Sequence, residues 1–253
     1  VFLIAACCSV LAVALICIFL FMNGVPAIFK IGPLKFLTGT VWKPGNNIFG
    51  ILPMIVGSIC VTGLAILMGV PVAILTSVFL SRYCPKKFYG ICKSGINLMA
   101  GIPSIVYGLF GMLFFVTALK WKFSILAGAF TLAIMILPVI LRTTEEALLS
   151  VPDSYREGSF GLGAGKLRTI FKIVLPAAVP GILSGVILAT GRIVGETAAL
   201  IYTAGTVAKI PNSAFSSGRT LAVHMYLLAN EGLHVNQAYA TAVILLILVI
   251  AIN

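Results

Sequence analysis

Long stretches without a charged residue dominate the amino-acid sequence. Each is about as long as the ~18 to 20 apolar residues that a helix needs to cross a bilayer, or longer. These stretches cover residues 1–29, 44–81, 94–119, 123–141 and 232–253. The pattern predicts a helical protein that crosses the membrane several times.

The lengths of the apolar stretches predict six spans. A helix rises 1.5 Å per residue, so a hydrocarbon core of ~30 Å takes about 20 residues. The stretch 44–81 is too short for two crossings and a turn, and therefore counts once. A fifth span begins near Pro180, because proline is tolerated in the first turn of a helix and not in its interior. The predicted spans are residues 1–22, 52–80, 94–119, 123–141, 180–203 and 238–252.

Composition and charge agree with a membrane protein. Hydrophobic residues make up 60% of the chain and charged residues 9%, whereas a soluble domain averages about 25% charged residues. The net charge of +11 comes from basic residues in the loops between spans, so it does not indicate a nucleic-acid partner. Loops 81–93 and 142–172 hold nine basic residues and the opposite loops hold seven, which favours a cytoplasmic position for the first pair. With no linker or repeat, residues 1–253 are expected to form one membrane domain.

The segment 142–172 is the longest polar stretch on its predicted side of the membrane. Ser154 and Glu157 have the S-x-x-E spacing of a capping box, which predicts a helix starting at Ser154. Three glycines within 161–165 then interrupt this helix, and helical propensity resumes over 166–174. We therefore expect two short helices separated by a glycine break at the membrane surface. By composition alone, such a loop is also compatible with a purely structural role.

The same segment resembles the cytoplasmic signature of ABC importer permeases. That signature has Glu and two small residues, a Gly four positions after the second small one, and an Ile ten positions later that is followed by x-Leu-Pro. The matching positions are Glu157, Gly158, Ser159, Gly163, Ile173, Leu175 and Pro176. Gly158 and Ser159 depart from the pattern, which prefers two alanines. The resemblance implies an all-α permease of the type I, MetI-like architecture with six transmembrane helices. It also implies that 142–172 couples the permease to an ATPase through Ser154, Tyr155, Arg156, Glu157, Gly158 and Gly163.

Longer stretches look like the permease subunits of phosphate-specific (Pst) transporters. They include AGIPSIVYGLFG, LPVILRTTEEALLSVPDSYREG and GRIVGETAALIYTAG, and together reach from about residue 49 to 242. The first half looks closer to the PstC subunit and the second half to the PstA subunit, with a slight preference for PstA. The resemblance implies a heterodimer with a second permease subunit in the bacterial cytoplasmic membrane. It also implies two ATPase subunits that use ATP with Mg, and an external phosphate-binding protein.

The chain itself shows no ATP site. Its nearest match to a phosphate loop has Phe160 where the first Gly belongs and Leu167 where Ser or Thr belongs. His224 and His234 have no partner at metal-ligand spacing and are expected at the surface. We therefore expect a transport subunit that binds no cofactor and is not an enzyme.

Charged residues inside a predicted span are the candidates for an anion path. In a span 180–203, Arg192 and Glu196 lie near the middle and one turn apart on one helix face. Each costs about 2.5 to 3.5 kcal/mol in the membrane, so they either form a structural ion pair or line a polar path. A planar guanidinium suits a tetrahedral oxyanion. The Pst resemblance supports the anion path and implies that Arg142 also lines it. Alternatively, Arg142 anchors the inner end of the fourth span at the membrane interface. Ser104, at a proline in the third span, is a further candidate, with a packing kink as the alternative.

These patterns predict the membrane-spanning subunit of an ATP-driven importer of inorganic phosphate. The nearest alternative is an ABC permease for sulfate, molybdate or phosphonate. A second alternative is an ATP-independent anion transporter or channel, which would have no use for a docking segment. A membrane-embedded enzyme is disfavoured because the sequence has no nucleophile or carboxylate constellation at either membrane face.

Overall fold

The structure is a computed structural model that describes residues 2–252. Nearly all of its elements are helical. In chain order they are α1 (Phe2–Ile31), α2 (Pro33–Thr38), β1 (Trp42–Lys43), β2 (Ile48–Phe49), α3 (Leu52–Arg82), α4 (Lys86–Gly101), α5 (Ser104–Gly111), α6 (Ile125–Ser150), α7 (Asp153–Gly161), α8 (Lys166–Thr169), α9 (Leu175–Val194), α10 (Ala198–Ile201), α11 (Leu221–Glu231) and α12 (Val235–Ile252). Wider π-helical turns follow α5 over Met112–Ala118 and precede α9 over Ile170–Val174, and β1 and β2 form a small antiparallel hairpin.

Six membrane spans account for the long apolar helices. Within residues 2–252, five helices are long and apolar enough to cross a bilayer, and a bent pair of helices makes a sixth. The six-span prediction is confirmed when the bent pair counts as one span. The spans over α3 and α12 lie close to their predicted positions, while α1 and α6 each extend nine residues beyond their predicted ends at Met22 and Leu141. Val1, where the first span was predicted to begin, lies outside the described residues.

The third span is broken at Pro103, the proline at which the sequence indicates a break or a packing kink, and it begins at Lys87 instead of residue 94. The helix before the break and the helix after it make an angle of 98°. Ile102 and Pro103 have extended backbone between them, because proline lacks an N–H and disfavours the helical conformation of the residue before it. The Tyr107 hydroxyl donates to the Met99 carbonyl at 2.7 Å and joins the two pieces.

The fifth span is shifted towards the N-terminus, so the predicted bounds 180–203 are also wrong. It runs over Lys166–Val194 and stops fourteen residues after Pro180. Pro176 occupies the first turn of α9, and Pro180 lies inside the helix. Residues 195–197 then leave the helix before α10 begins. Pro180 therefore does not mark the start of this span. The span already begins at Lys166, because α8 and the π-helical turns lead into α9 without a break.

Small residues let the central helices pack closely. The helix α6 runs antiparallel to α9, and a Cβ on Gly181 would lie 2.6 Å from the Cβ of Ala147. Gly185 lies equally close to Thr143, and Gly69 of α3 lies against Ile136. Glycine at such crossings allows backbones to approach in a membrane, where hydrophobicity gives no drive for helices to associate. The helices α3, α6 and α9 form the core, and α1 packs mainly on α12.

A compact cap covers the end of the bundle opposite α7. It consists of α2, the hairpin, residues 202–220 and α11. His224 on α11 is fully buried, so the expectation of a surface histidine is wrong. Its ring lies edge-on to Trp42 with centroids 4.2 Å apart, and its Nδ1 is 3.1 Å from the Arg219 guanidinium. Burial, and secondly the Arg219 charge, lower the pKa of His224 to about 3.

Candidate functional site

The broken third and fifth spans meet in the middle of the bundle. The helix α5 packs on α10, and a Cβ on Gly108 would lie 2.7 Å from the Cα of Ala199. Ser104 is the first residue of α5, directly after the break, and is half-buried. Non-helical backbone at membrane depth is tolerated where protein or a polar cavity surrounds it. The contact between α5 and α10 therefore brings the two breaks close together.

Arg192 lies beside this contact. It occupies the last turn of α9, and its side chain is exposed on the single chain. The contacts of Gly181 with Ala147 and of Gly185 with Thr143 fix the antiparallel register of α9 and α6. Continuing that register places Arg192 level with residue 136, inside the apolar part of α6. Arg192 is also close enough to Tyr107 for an electrostatic interaction. The expectation that Arg192 lies within the membrane therefore agrees with the packing, although α9 ends earlier than predicted.

Glu196 is not on the same helix as Arg192, so the predicted arrangement on one helix face is wrong. The helix ends at Val194, and Glu196 lies in the break before α10. Its Oε1 accepts a hydrogen bond of 3.1 Å from the Ala199 N–H, which caps α10. In the described part of the chain, the ion pairs are Lys93 with Glu145 and Arg156 with Asp153, and an Arg192–Glu196 pair is not among them.

Arg142 lies inside α6, which continues for eight residues beyond it. Arg142 is therefore not at a helix end, although it lies where the apolar part of α6 ends. The Arg142 guanidinium donates to Oδ1 of Asn97 on α4 at 2.6 Å. Both residues line a cavity of about 260 Å³ between α3, α4 and α6, which also contains Lys93, Glu145 and Glu146.

A second polar contact holds α4 against α6 near Arg142. The Tyr89 hydroxyl donates to Glu145, and Lys93 lies 3.4 Å from the same carboxylate. Sequence reasoning did not find Asn97, Tyr89 or Lys93, because their partners on α6 are about fifty residues away in the chain. The polar residues of the amphipathic helix α4 were the available signal.

The predicted two-helix coupling segment is present, although its cap differs. The helix α7 begins at Asp153 after Pro152, and no side chain caps it. The predicted capping box at Ser154 is therefore wrong: Ser154 is the second helical residue. Pro152, with extended backbone, occupies the capping position instead. Arg156 pairs with Asp153 at 2.8 Å within the first turn.

Gly163 ends α7 in a Schellman turn. Its φ of +80° lies in the left-handed region, which glycine adopts without the steric cost of a Cβ. The Ala164 N–H donates to the Ser159 carbonyl at 3.1 Å, and the Gly163 N–H donates to the Phe160 carbonyl at 2.9 Å. These two bonds satisfy carbonyls that the helix end would otherwise leave unpaired. The glycine of the permease signature thus has a defined backbone role.

One side of α7 is fastened to the bundle, and the other is exposed. Buried Ser159 and Thr169 join their hydroxyls at 2.9 Å, which holds α7 against α8. Below them Val151, Ile170 and Val174 pack with residues of α3, α6 and α9. The exposed side carries Ser154, Tyr155, Glu157 and Gly158, and beyond the helix end Leu162, which is 91% exposed.

Comparison with known proteins identifies the family. Residues 65–253 match the family described as "Binding-protein-dependent transport system inner membrane component". The "Probable ABC transporter permease protein YqgH" of Bacillus subtilis (strain 168) is 35% identical over 232 residues, which are 87% of this chain and 75% of that protein. The "Probable phosphate transport system permease protein PstA" of Methanocaldococcus jannaschii is 34% identical over 234 residues, which are 91% of this chain and 80% of that protein.

A solved structure supports the fold. An inward-facing structure of the MetNI methionine ABC transporter superposes with a TM-score of 0.61 and 24% identity, covering 80% of this chain and 89% of the matched chain. This likeness agrees with the predicted MetI-like architecture. The family match, the relatives and the bundle of six spans lead to one assignment. The chain belongs to the binding-protein-dependent transport system inner membrane components, and is a membrane-spanning permease of an ABC importer and not an enzyme.

Proposed function

We propose that this permease moves inorganic phosphate across the bacterial cytoplasmic membrane. The observation that carries the proposal is Arg192, a cation at the level of the apolar part of α6, exposed beside two broken spans. The relatives named as phosphate permeases support the choice of anion. Residues 1–253 then form one membrane domain, and 142–172 is its coupling segment.

The exposure of Arg192 suggests where the path runs. A charged side chain that faces lipid at this depth costs about 2.5 to 3.5 kcal/mol. A second permease subunit covering this face of α9 would remove that cost and enclose a polar space. The path would then lie between the two subunits of a heterodimer, with Arg192 at its narrowest part. A guanidinium offers paired N–H donors to a tetrahedral oxyanion.

Glu196 has a complementary role in this proposal. Its carboxylate caps α10 through one oxygen and places a negative charge in the break directly after the helical turn that carries Arg192. That charge weakens the binding of a phosphate dianion to Arg192, so that the anion can be released. Ser104 at the start of α5 and Arg142 with Asn97 line the remaining path towards the α7 end.

The exposed side of α7 is the proposed ATPase contact. Ser154, Tyr155, Arg156, Glu157 and Gly158 are presented by one short helix, and Gly163 fixes where it ends. The ATPase subunits, which bind ATP and Mg, would move α7 on closing. The helix α7 packs on α8 and on the π-helical turn Ile170–Val174, and residues of that turn pack with α3, α6 and α9, so that movement would reach the helices around Arg192. An external phosphate-binding protein would deliver the anion at the cap end.

Uptake of labelled anions tests the proposal. Cells that lack other phosphate importers should take up phosphate when they express the complete transporter. Arg192→Gln should lower that uptake about ten- to hundredfold, the range for a lost charged hydrogen bond. Lys209→Gln removes a charge from an exposed residue of the cap and should leave uptake unchanged. Co-purification of the second permease and the ATPases measures assembly of each variant.

Two results would contradict the proposal in different ways. Uptake of sulfate or molybdate in preference to phosphate would replace the substrate and keep the permease assignment. Normal phosphate uptake by Arg192→Gln would remove Arg192 from the path. The same conclusion would follow if that variant failed only because the subunits no longer assembled.

A further inference from the structure

A polar cavity lies where α1 and α12 meet at the membrane surface near the cap. It measures about 250 Å³ and is lined by Met22, Asn23, Pro26, Ala27, Lys30, Ile31, Asn236 and Gln237. Among the described residues, those lining it include a cation and three amides and no carboxylate. The α1 wall lies outside the residues 65–253 that match the permease family. The cavity is on the outer surface of the bundle, away from α5 and α10.

Lys30 gives the cavity its charge. It lies in the last turn of α1, after a helix with no other charged residue, and its side chain is exposed. A cation in this position lies at the level of the lipid phosphates, where anionic headgroups attract basic side chains. The cavity therefore favours an anionic ligand at the membrane surface.

The cavity also offers hydrogen-bond acceptors. Pro26 has no N–H, so the carbonyl of Met22 lacks the donor that a regular helix supplies four residues later. The Asn23 side chain donates to the Phe19 carbonyl at 2.8 Å, which fixes its amide beside this position. Gln237 lies half-buried on the α12 side. These acceptors suit a ligand that carries hydroxyl groups as well as an anion.

An apolar stripe leads from the cavity into the membrane. Leu15, Phe19 and Met22 lie on the same face of α1 as Pro26 and Lys30, at spacings of three and four residues. All three apolar side chains are exposed, and the ring of Phe19 contacts Tyr239 of α12 with centroids 5.6 Å apart. The stripe therefore follows the seam between the two helices. Free phosphate has no apolar group that could contact this stripe, whereas an acyl chain would cover it.

We propose that this cavity binds the headgroup of an anionic glycerophospholipid such as phosphatidylglycerol. Lys30 pairs with the phosphodiester, and the acceptors around Met22 and Asn23 receive the headgroup hydroxyls. One acyl chain lies along the seam between α1 and α12. Such a lipid would fasten α1, which packs mainly on α12, to the rest of the permease. The proposal does not depend on which anion the permease transports.

Native mass spectrometry of the purified transporter, with this subunit at full length, tests the proposal. Phosphatidylglycerol should be retained by the complex at lower lipid concentration than phosphatidylcholine, which has no headgroup hydroxyl and no net charge. Lys30→Gln should weaken retention of phosphatidylglycerol about fivefold, as expected for one cation at a membrane surface. Lys30→Arg should keep it. Lys35→Gln, on neighbouring α2 and also exposed, is the matched control and should have no effect.

Three results would overturn the proposal. Equal retention of the two lipids would show that the headgroup is not recognised. Equal loss in Lys30→Gln and Lys35→Gln would show a general surface charge instead of a site. Displacement of the lipid by millimolar inorganic phosphate would show that the cavity recognises a free anion.

Discussion

Arg192 and Arg219 have the same side chain in very different surroundings. Arg219 is half-buried in the cap, where its Nε donates to the Thr206 carbonyl at 2.7 Å and its Nη1 lies 3.1 Å from Nδ1 of His224. Because a guanidinium only donates hydrogen bonds, the Nδ1 it contacts must accept, and His224 must be neutral. Arg219 thus has fixed partners that organise the cap. Arg192 is instead exposed beside the helix breaks, as the proposed anion path requires.

Replacement of His224 should change how stability depends on pH. The folded-state pKa of about 3 is below the usual 6.5, so the unfolded chain binds a proton that the folded chain excludes. Stability contributed by neutral His224 is therefore present above pH 6.5 and is lost as the pH falls towards 3. The loss is up to about 2 to 3 kcal/mol between pH 6.5 and 4.5. His224→Gln can still accept from Arg219 and should lose less stability on acidification, as measured by thermal unfolding of the purified protein at several pH values.

His234→Gln is the matched control for this prediction. His234 is half-buried, and its ring contacts Phe49 with centroids 5.7 Å apart. This variant should follow the pH dependence of the wild type. If His224→Gln and the wild type lost the same stability between pH 6.5 and 4.5, His224 would not be the group that titrates on unfolding.

At the scale of elements, hydropathy predicts which segments are apolar and not where their backbone breaks. The helices α3, α6 and α12 follow from long apolar windows. The break at Pro103 lies inside apolar sequence and the break at Glu196 lies between two apolar segments, so hydropathy windows run across both, and only Pro103 indicates a break from the sequence. What decides these breaks is local hydrogen bonding: an N–H missing at Pro103, and a carboxylate that caps α10 in place of the next helical turn.

The sequence predicted which charged residues belong to the candidate site, but not which residues each of them contacts. A cation and a carboxylate four residues apart form a pair only if both lie on one helix, and the end of α9 at Val194 separates them. Arg142 was found as a charge near a span, but its contact with Asn97 depends on how α4 packs on α6. In the coupling segment, the permease signature predicted the position of Gly163, and the backbone supplies the reason for it.

The left-handed turn at Gly163 gives a prediction for the coupling segment. Gly163→Ala forces a Cβ into a conformation that costs about 1 to 2 kcal/mol. Gly161→Ala adds the same methyl group to a helical residue, and neither Cβ would meet an atom within 4 Å. Gly163→Ala should therefore reduce ATPase co-purification and phosphate uptake about fivefold or more, while Gly161→Ala stays near wild type. If both variants lost ATPase co-purification and uptake equally, the cause would be the added methyl group at the ATPase contact and not the left-handed turn.

At the scale of the whole molecule, the ends of the bundle are built differently. The cap end is closed by α2, the hairpin and α11, which pack on buried Phe36, Ile51 and Leu221. The α7 end presents a short exposed helix that rests on α8 and the π-helical turn Ile170–Val174, which in turn packs with α3, α6 and α9. A movement of α7 would therefore reach the bundle through α8 and this turn. This asymmetry suits a permease that receives mechanical work at one end and substrate at the other.

The orientation of these ends gives the last prediction: α7 faces the cytoplasm and the cap faces outward. The basis is the count of nine basic residues against seven, which is a weak bias, together with a docking segment that only a cytoplasmic ATPase can use. In a variant without its native cysteines, Leu162→Cys and Asn212→Cys place thiols at exposed positions at opposite ends. A membrane-impermeant maleimide should label position 212 in sealed cells, and position 162 only after the membrane is opened. Labelling of position 162 in sealed cells, with 212 protected, would reverse the orientation. The coupling role of α7 would then be excluded, because ATP is hydrolysed on the cytoplasmic side.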